Sequence, residues 1–241
     1  MWSSGTFRHR RQEPEIMDQP TLEESRHVQA LRGLERINYL SGSAGAFWPS
    51  IRSAATESPS SSGPLRILDV ATGGGDVPLR VWHKARRTGL NVEIEGCDRS
   101  PVAVAHARRQ AQAQQAQVRF FELDVLSDPL PEPYDVVMCS LFLHHLGENE
   151  AIQVLRTMAQ AAQRLVMVSD LHRSRLGWWL AWFATRMATM SPVVHFDGPV
   201  SVAAAFTVPE LKNLADRAGL ENAAVVRRWP SRMLFTWRKP T

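Results

Sequence analysis

The chain has 241 residues, of which 44% are hydrophobic and 22% charged, with two cysteines and a formal net charge of +4. This length favours one domain of the larger ordinary size with a small appendage, and the composition excludes collagen, coiled coil and wholesale disorder. Two cysteines build neither a disulfide scaffold nor a Cys-rich zinc site, which points to reduced thiols in the cytoplasm. A run of 18 apolar residues and a secretory h-region are both missing, and the arginine-dominated cations are scattered rather than gathered in the stripe of a nucleic-acid binder.

Residues 1–20 are polar, contain Pro14 and Pro20, and read as a loose leader. Thr21 with Glu24 is a capping-box pattern, and Val28, Leu31, Leu34 and Ile37 recur every third position, so the spacing predicts an amphipathic helix over 21–40. Residues 53–64, SAATESPSSSGP, read as a Ser/Pro linker, making 21–63 a helical cap with its linker and 64–241 the main domain. From there short apolar runs alternate with helical ones: strands at 66–71, 92–98, 118–124, 134–140 and 164–170, and helices at 76–88, 101–115 and 148–162. Five strands in this rhythm predict a doubly wound α/β fold around a parallel sheet. A helix over 207–218 follows, capped by Thr207, with Pro209 in its first turn and Gly219 closing it. AAVVRRW and MLFTW then form a hairpin-like ending that adds an antiparallel pair and brings the sheet to seven strands.

The stretch Leu68 to Pro78, LDVATGGGDVP, joins a predicted strand to a predicted helix at the carboxyl edge of the sheet, where open α/β folds bind cofactors. A dinucleotide fingerprint counted from Gly73 and Gly75 requires glycine where Pro78 stands, which makes NAD(P) and an oxidoreductase the weaker reading.

Asp69, Ala71, Gly73 and Gly75, then Asp98 after the second strand, Asp124-Val125 after the third, and Tyr134 to Ser140 running into Leu143-His-His-Leu146 resemble the motifs of class I S-adenosylmethionine-dependent methyltransferases. Alanine stands in place of the first glycine. DVATGGGD is similar to the ubiquinone/menaquinone-biosynthesis methyltransferases, and the layout resembles small methyltransferases that accompany type III polyketide synthases making phenolic lipids. The resemblance covers about residues 64–240 and implies S-adenosylmethionine as cofactor. Asp98 would accept from both ribose hydroxyls, with Arg99 beside it. Asp124 would accept from the adenine amino group while the Val125 backbone reads the ring. Asp69 would orient the loop and the amino-acid end of the cofactor, and Ser140 would complete the site.

Methyl transfer to a hydroxyl also needs a proton removed. His144 and His145 follow the fourth strand on the same edge, and His145 is the preferred base because its position in the family lies near the acceptor. No metal is expected, because adjacent histidines lack a third ligand at a recognisable spacing. Residues 172–206 carry Trp178, Trp179, Trp182, Phe183, Met187 and Met190 interrupted by Arg173, Arg175 and Arg186, and read as a lid or acceptor pocket for a lipophilic compound, with peripheral membrane contact through 174–190. The expected reaction is O-methylation of a phenol or quinol, with carbon methylation of a quinol ring as the alternative. In the strand order implied by the resemblance, Cys97 and Cys139 stand two strand spacings apart, about 9–10 Å, too far for a disulfide.

Overall fold

The run LRILDV is apolar on both of its alternating faces, which suits a strand buried on both sides. In the computed structural model, which describes residues 7, 9–19, 21–56, 63–131 and 133–240, it is β1 (Leu65–Val70) and lies in the middle of the sheet. Parallel partners on its two sides are β2 (Val92–Asp98), followed outward by β3 (Val118–Glu122), and β4 (Tyr134–Ser140), followed by β5 (Ala162–Leu171). The last strand, β7 (Arg232–Arg238), runs antiparallel between β5 and the edge strand β6 (Ala224–Arg228), giving the order β3-β2-β1-β4-β5-β7-β6. The seven-stranded, doubly wound α/β expectation is met, with strand ends within two residues of their predicted places.

Alternation distributes the side chains between two cores. Ile67 and Leu65 face α2 (Ser43–Thr56), α3 (Asp76–Arg87) and α4 (Pro101–Ala113), while Leu68 and Val70 face α5 (Glu148–Ala161) and α8 (Val208–Arg217). Each fully buried Leu or Ile contributes roughly 1.5–3 kcal/mol, so the doubly covered strands dominate stability. Local signals place the helices. Ser100 Oγ accepts from the Ala103 amide at the start of α4, and Glu210 accepts from the Thr207 amide in the capping box of α8. Cys97 and Cys139 flank Val70 on neighbouring strands and are free, buried thiols, Cys97 being pushed up to about 12 by burial and then by Asp69.

A third layer crosses the carboxyl ends of the strands. It comprises α1 (Glu24–Leu40), α6 (Arg175–Ala188), α7 (Pro192–Ala204) and the leader, joined by a small core of Ala30, Val193 and Val194 with Ile16, Met17, Leu34 and Ile37. Three expectations change here. Residues 9–19 are held in place: the Ile16 and Met17 amides donate to Asp197 at 2.8 and 3.0 Å, Ser201 donates to Glu15 at 2.6 Å, and the Arg10 guanidinium lies 3.8 Å from the Phe206 ring. The first helix starts at Glu24, and Thr21 does not cap it, because Glu23 is its N-cap residue. Residues 53–56, read as the start of the linker, complete α2, where Phe47, Trp48 and Ile51 are buried against the sheet; residues 57–62 of that linker lie outside the described residues. Among the described residues no helix is long and apolar enough to cross a membrane.

Candidate functional site

Between β1 and α3 the chain must turn sharply, and it does so through left-handed residues: Ala71 (φ 53°), Gly73 (φ 54°) and Gly75 (φ 78°). The glycines have different reasons. A Cβ on Gly75 would stand 2.7 Å from the Phe120 ring and 2.9 Å from Ala107, so this residue lets the loop pack on β3 and α4. A Cβ on Gly73 would meet only Leu31, 4.0 Å away, so this residue leaves room above the loop.

Asp98, at the end of β2, fixes that loop: its Oδ2 accepts from the Gly73 amide at 2.8 Å and its Oδ1 from the Ser100 amide at 2.9 Å. Burial nevertheless raises its pKa above the ordinary carboxylate value, against those two bonds. Asp69, at the end of β1, is 1% exposed; its Oδ2 accepts from Thr72 at 2.6 Å, and its Oδ1 has no partner. Burial pushes the Asp69 carboxyl up to about 8, against the Thr72 bond and with added repulsion from Asp76 and Asp98. Ser140 Oγ, at the end of the neighbouring β4, is likewise buried and unpartnered. Two orphaned polar atoms on adjacent strand ends beside an open glycine turn fit a ligand that brings hydrogen-bond donors and a positive charge.

Asp124 and Val125 lie just beyond β3. Asp124 Oδ1 accepts from the Leu126 amide at 3.0 Å in a local turn, and Val125 is buried in the core. Arg99 is exposed, 3.8 Å from Asp18 of the leader. The structure thus gathers Asp69, Ala71, Gly73, Gly75, Asp98 and Ser140 around one turn, with Asp124 and Val125 on the next strand outward.

The two histidines occupy a 3-10 turn, Leu143–His145, after β4. His144 is buried; its Nδ1 lies 2.6 Å from Asp170 Oδ1, its amide donates to Asp170 Oδ2 at 3.1 Å, and its carbonyl accepts from Arg10 at 2.7 Å. Burial pushes Asp170 up, but the facing His144 and the amide bonds win and hold it below the ordinary carboxylate value. His145 is partly exposed, with Nδ1 2.9 Å from Asp18 Oδ2 and 3.9 Å from Glu15 Oε1. Burial lowers its pKa, yet the Asp18 bond and the charge of Glu15 outweigh that and raise it to about 9. His145 therefore carries a proton at neutral pH in this closed arrangement, which differs from a base ready to accept one.

Glu15, His144 and His145 bring one possible metal-ligand atom each within 4.8 Å of one another. The third donor comes from the leader, so no local spacing announces it. Ser201 donates to Glu15, while Asp170 and Asp18 face the Nδ1 atoms of His144 and His145; His144 Nε2 lies 3.7 Å from Glu15 Oε1. Glu15, Asp18 and Asp170 were missed from the sequence because they reach the histidines from distant segments.

The large side chains of the insertion lie elsewhere. Trp179, Phe183 and Met187 are exposed on the outer side of α6 and Met190 is exposed just after it, whereas an acceptor wall would face inward.

Residues 67–164 match the family described as "Methyltransferase domain". The match spans 98 of the chain's 241 residues. The matched segment holds most of β1, the whole of β2 to β4, the glycine turn, Asp98, Asp124 and both histidines. The demethylmenaquinone methyltransferase of Thermus thermophilus is 34% identical over 107 residues, 43% of this chain and 47% of the relative. That of Deinococcus radiodurans is 41% identical over 98 residues, 40% of this chain and 39% of the relative. The alignments thus span less than half the length of either curated relative. Among solved structures, the apo form of the S-adenosylmethionine-dependent methyltransferase SibL has a TM-score of 0.62 at 17% identity, covering 98% of this chain and 65% of that one. An O-methyltransferase family 2 protein from Planctomyces limnophilus in complex with apigenin has a TM-score of 0.61 at 16% identity, covering 92% and 63%. At such identity these two report a shared fold.

Proposed function

We propose that the chain is an S-adenosylmethionine-dependent methyltransferase that acts on a small lipophilic acceptor, a phenol or quinol methylated at oxygen. The observation that carries the cofactor reading is the pair of orphaned atoms, Asp69 Oδ1 and Ser140 Oγ, beside the open turn at Gly73. S-adenosylmethionine supplies, when bound, a methyl group on a positive sulfur and an ammonium group with three donors. Asp69 would take the ammonium, and its carboxyl would ionise on gaining that opposite charge. Asp98 keeps lone pairs for the ribose hydroxyls while it continues to hold the loop. Asp124 would accept from the adenine amino group, with the Val125 backbone against the ring.

Transfer is an in-line displacement, so the chain's main tasks are alignment and exclusion of water, and for a hydroxyl acceptor the removal of one proton. His145 is the proposed base. In the closed arrangement Asp18 holds a proton on it; an acceptor hydroxyl that takes the place of Asp18 removes the strongest cause of that affinity and returns the imidazole toward its ordinary range. His144, tied to Asp170 through Nδ1, positions its neighbour, whose ring lies 4.3 Å away centre to centre. Carbon methylation of a quinol ring is the second reading, favoured by the substrate named for both curated relatives, demethylmenaquinone. Calorimetric titration with S-adenosylhomocysteine, run beside NAD(H), tests the cofactor: heat with the first and none with the second is expected, and the reverse refutes the proposal.

A further inference from the structure

A surface helix normally turns its large apolar residues inward, as α3 does with Val77, Leu79, Val81 and Trp82. Helix α6 is inverted. Its buried positions are Gly177 and Thr185. A Cβ on Gly177 would stand 2.2 Å from Ser231 Oγ, and Thr185 packs so closely on Gly198 of α7 that a Cβ there would be 2.5 Å from its methyl group. These contacts admit only small residues. The large ones stand outside: Leu176, Trp179, Phe183 and Met187, spaced 3, 4 and 4 apart, form one stripe with exposures of 59, 61, 60 and 72%.

The border of that stripe is cationic. At helical spacing Arg175, Trp182 and Arg186 share one flank, and the Arg186 guanidinium lies 4.2 Å over the Trp182 ring. From Leu171 to Phe196 the chain contains no Asp or Glu. The end of β6 and the turn after it add exposed Arg227, Arg228 and Trp229; the turn adjoins the start of α6, where Ser231 lies 2.9 Å from Ser174.

We propose that this face docks on an anionic lipid surface, with α6 lying in the plane of the interface. Fourteen residues make a helix about 21 Å long, too short to span a bilayer but suited to burying one apolar side beneath the headgroups. Charge selects this occupant over a second copy of the chain, because a twofold contact through the stripe would bring its arginines toward their own symmetry mates. Anionic headgroups meet them with the opposite sign. The inference goes beyond the methyltransferase reading, and the surface is separate from the glycine turn, so the two fail separately.

The test is co-sedimentation of the full chain with vesicles of equal parts phosphatidylglycerol and phosphatidylcholine, and with phosphatidylcholine alone, at low and raised salt. Binding to the anionic vesicles that weakens with salt is expected, and it should fall about tenfold or more in Trp179→Ser/Phe183→Ser and in Arg175→Glu/Arg186→Glu. Unchanged S-adenosylhomocysteine affinity in both variants verifies that they are folded. A wild-type chain that stays in the supernatant overturns the proposal, as do folded variants that bind vesicles like the wild type. A dimer in sedimentation velocity that the tryptophan variant dissolves, without vesicle binding, gives the face to a second copy and also overturns it.

Discussion

Two glycines in the turn after β1, Gly73 and Gly75, predict different outcomes for the same substitution. Alanine at Gly75 places a Cβ at φ 78°, 2.7 Å from the Phe120 ring and 2.9 Å from Ala107. The left-handed backbone costs about 1–2 kcal/mol for a residue with a Cβ, and overpacking against a ring and a helix adds about 1–3 kcal/mol. Gly75→Ala should therefore destabilise the chain by roughly 2–5 kcal/mol. Alanine at Gly73, φ 54°, bears the backbone strain alone, since its nearest neighbour, Leu31, is 4.0 Å away, and about 1–2 kcal/mol is expected. Its methyl group, however, enters the space assigned to the cofactor. Urea unfolding and calorimetry on both variants measure the contrast: Gly75→Ala loses more stability, and Gly73→Ala loses more S-adenosylhomocysteine affinity. Equal loss of stability would remove the Phe120 contact as the reason for Gly75. Wild-type affinity in Gly73→Ala would show that the cofactor does not lie over this turn.

Asp98→Ala should weaken S-adenosylhomocysteine about tenfold or more in calorimetry, because bonds to a charged acceptor are worth roughly 1.5–3 kcal/mol. Asp69, raised from 3.8 to about 8 in the fold, binds a proton there that the unfolded chain gives up near pH 4, so it takes away stability as pH rises from about 4 to 8. Asp69→Asn should accordingly stabilise the ligand-free chain at pH 8, on the order of 2–4 kcal/mol by urea unfolding, while lowering S-adenosylmethionine affinity. His145 has the same sign in a higher window: its pKa is raised to about 9 by Asp18 and Glu15, so the docking of the leader is fully supported below pH 6.5 and is lost as pH rises through about 9. Hydrogen exchange of residues 9–19 should speed up across that window in the wild type and lack the step in Asp18→Asn.

The central strands were legible because each is short, apolar on both faces and bounded by turn residues. The glycine turn was legible because left-handed backbone selects glycine. The place of β7 beside β5 was not, since a terminal hairpin joins a sheet equally well by either strand. The leader reads as loose because its bonds, from Arg10 to the His144 carbonyl, from Glu15 to Ser201 and from Asp18 to His145, join segments more than a hundred residues apart and leave no local period. For α6 the sequence shows tryptophans and methionines but not their direction. That direction follows from Gly177 and Thr185, whose small size matters only once Ser231 and Gly198 stand against them.

The position of β7 sets spatial order against synthesis order. Residues 232–238 are made after every other strand, yet they lie inside the sheet, with β5 on one side and β6 on the other. Until they leave the ribosome, β5 presents a bare ladder of amides and carbonyls over its apolar length, and β6 has no strand to pair with. The sheet therefore closes only once β7 has been made, and a chain interrupted just before Arg232 would keep the glycine turn and both histidines in a body prone to pair through the edge of β5.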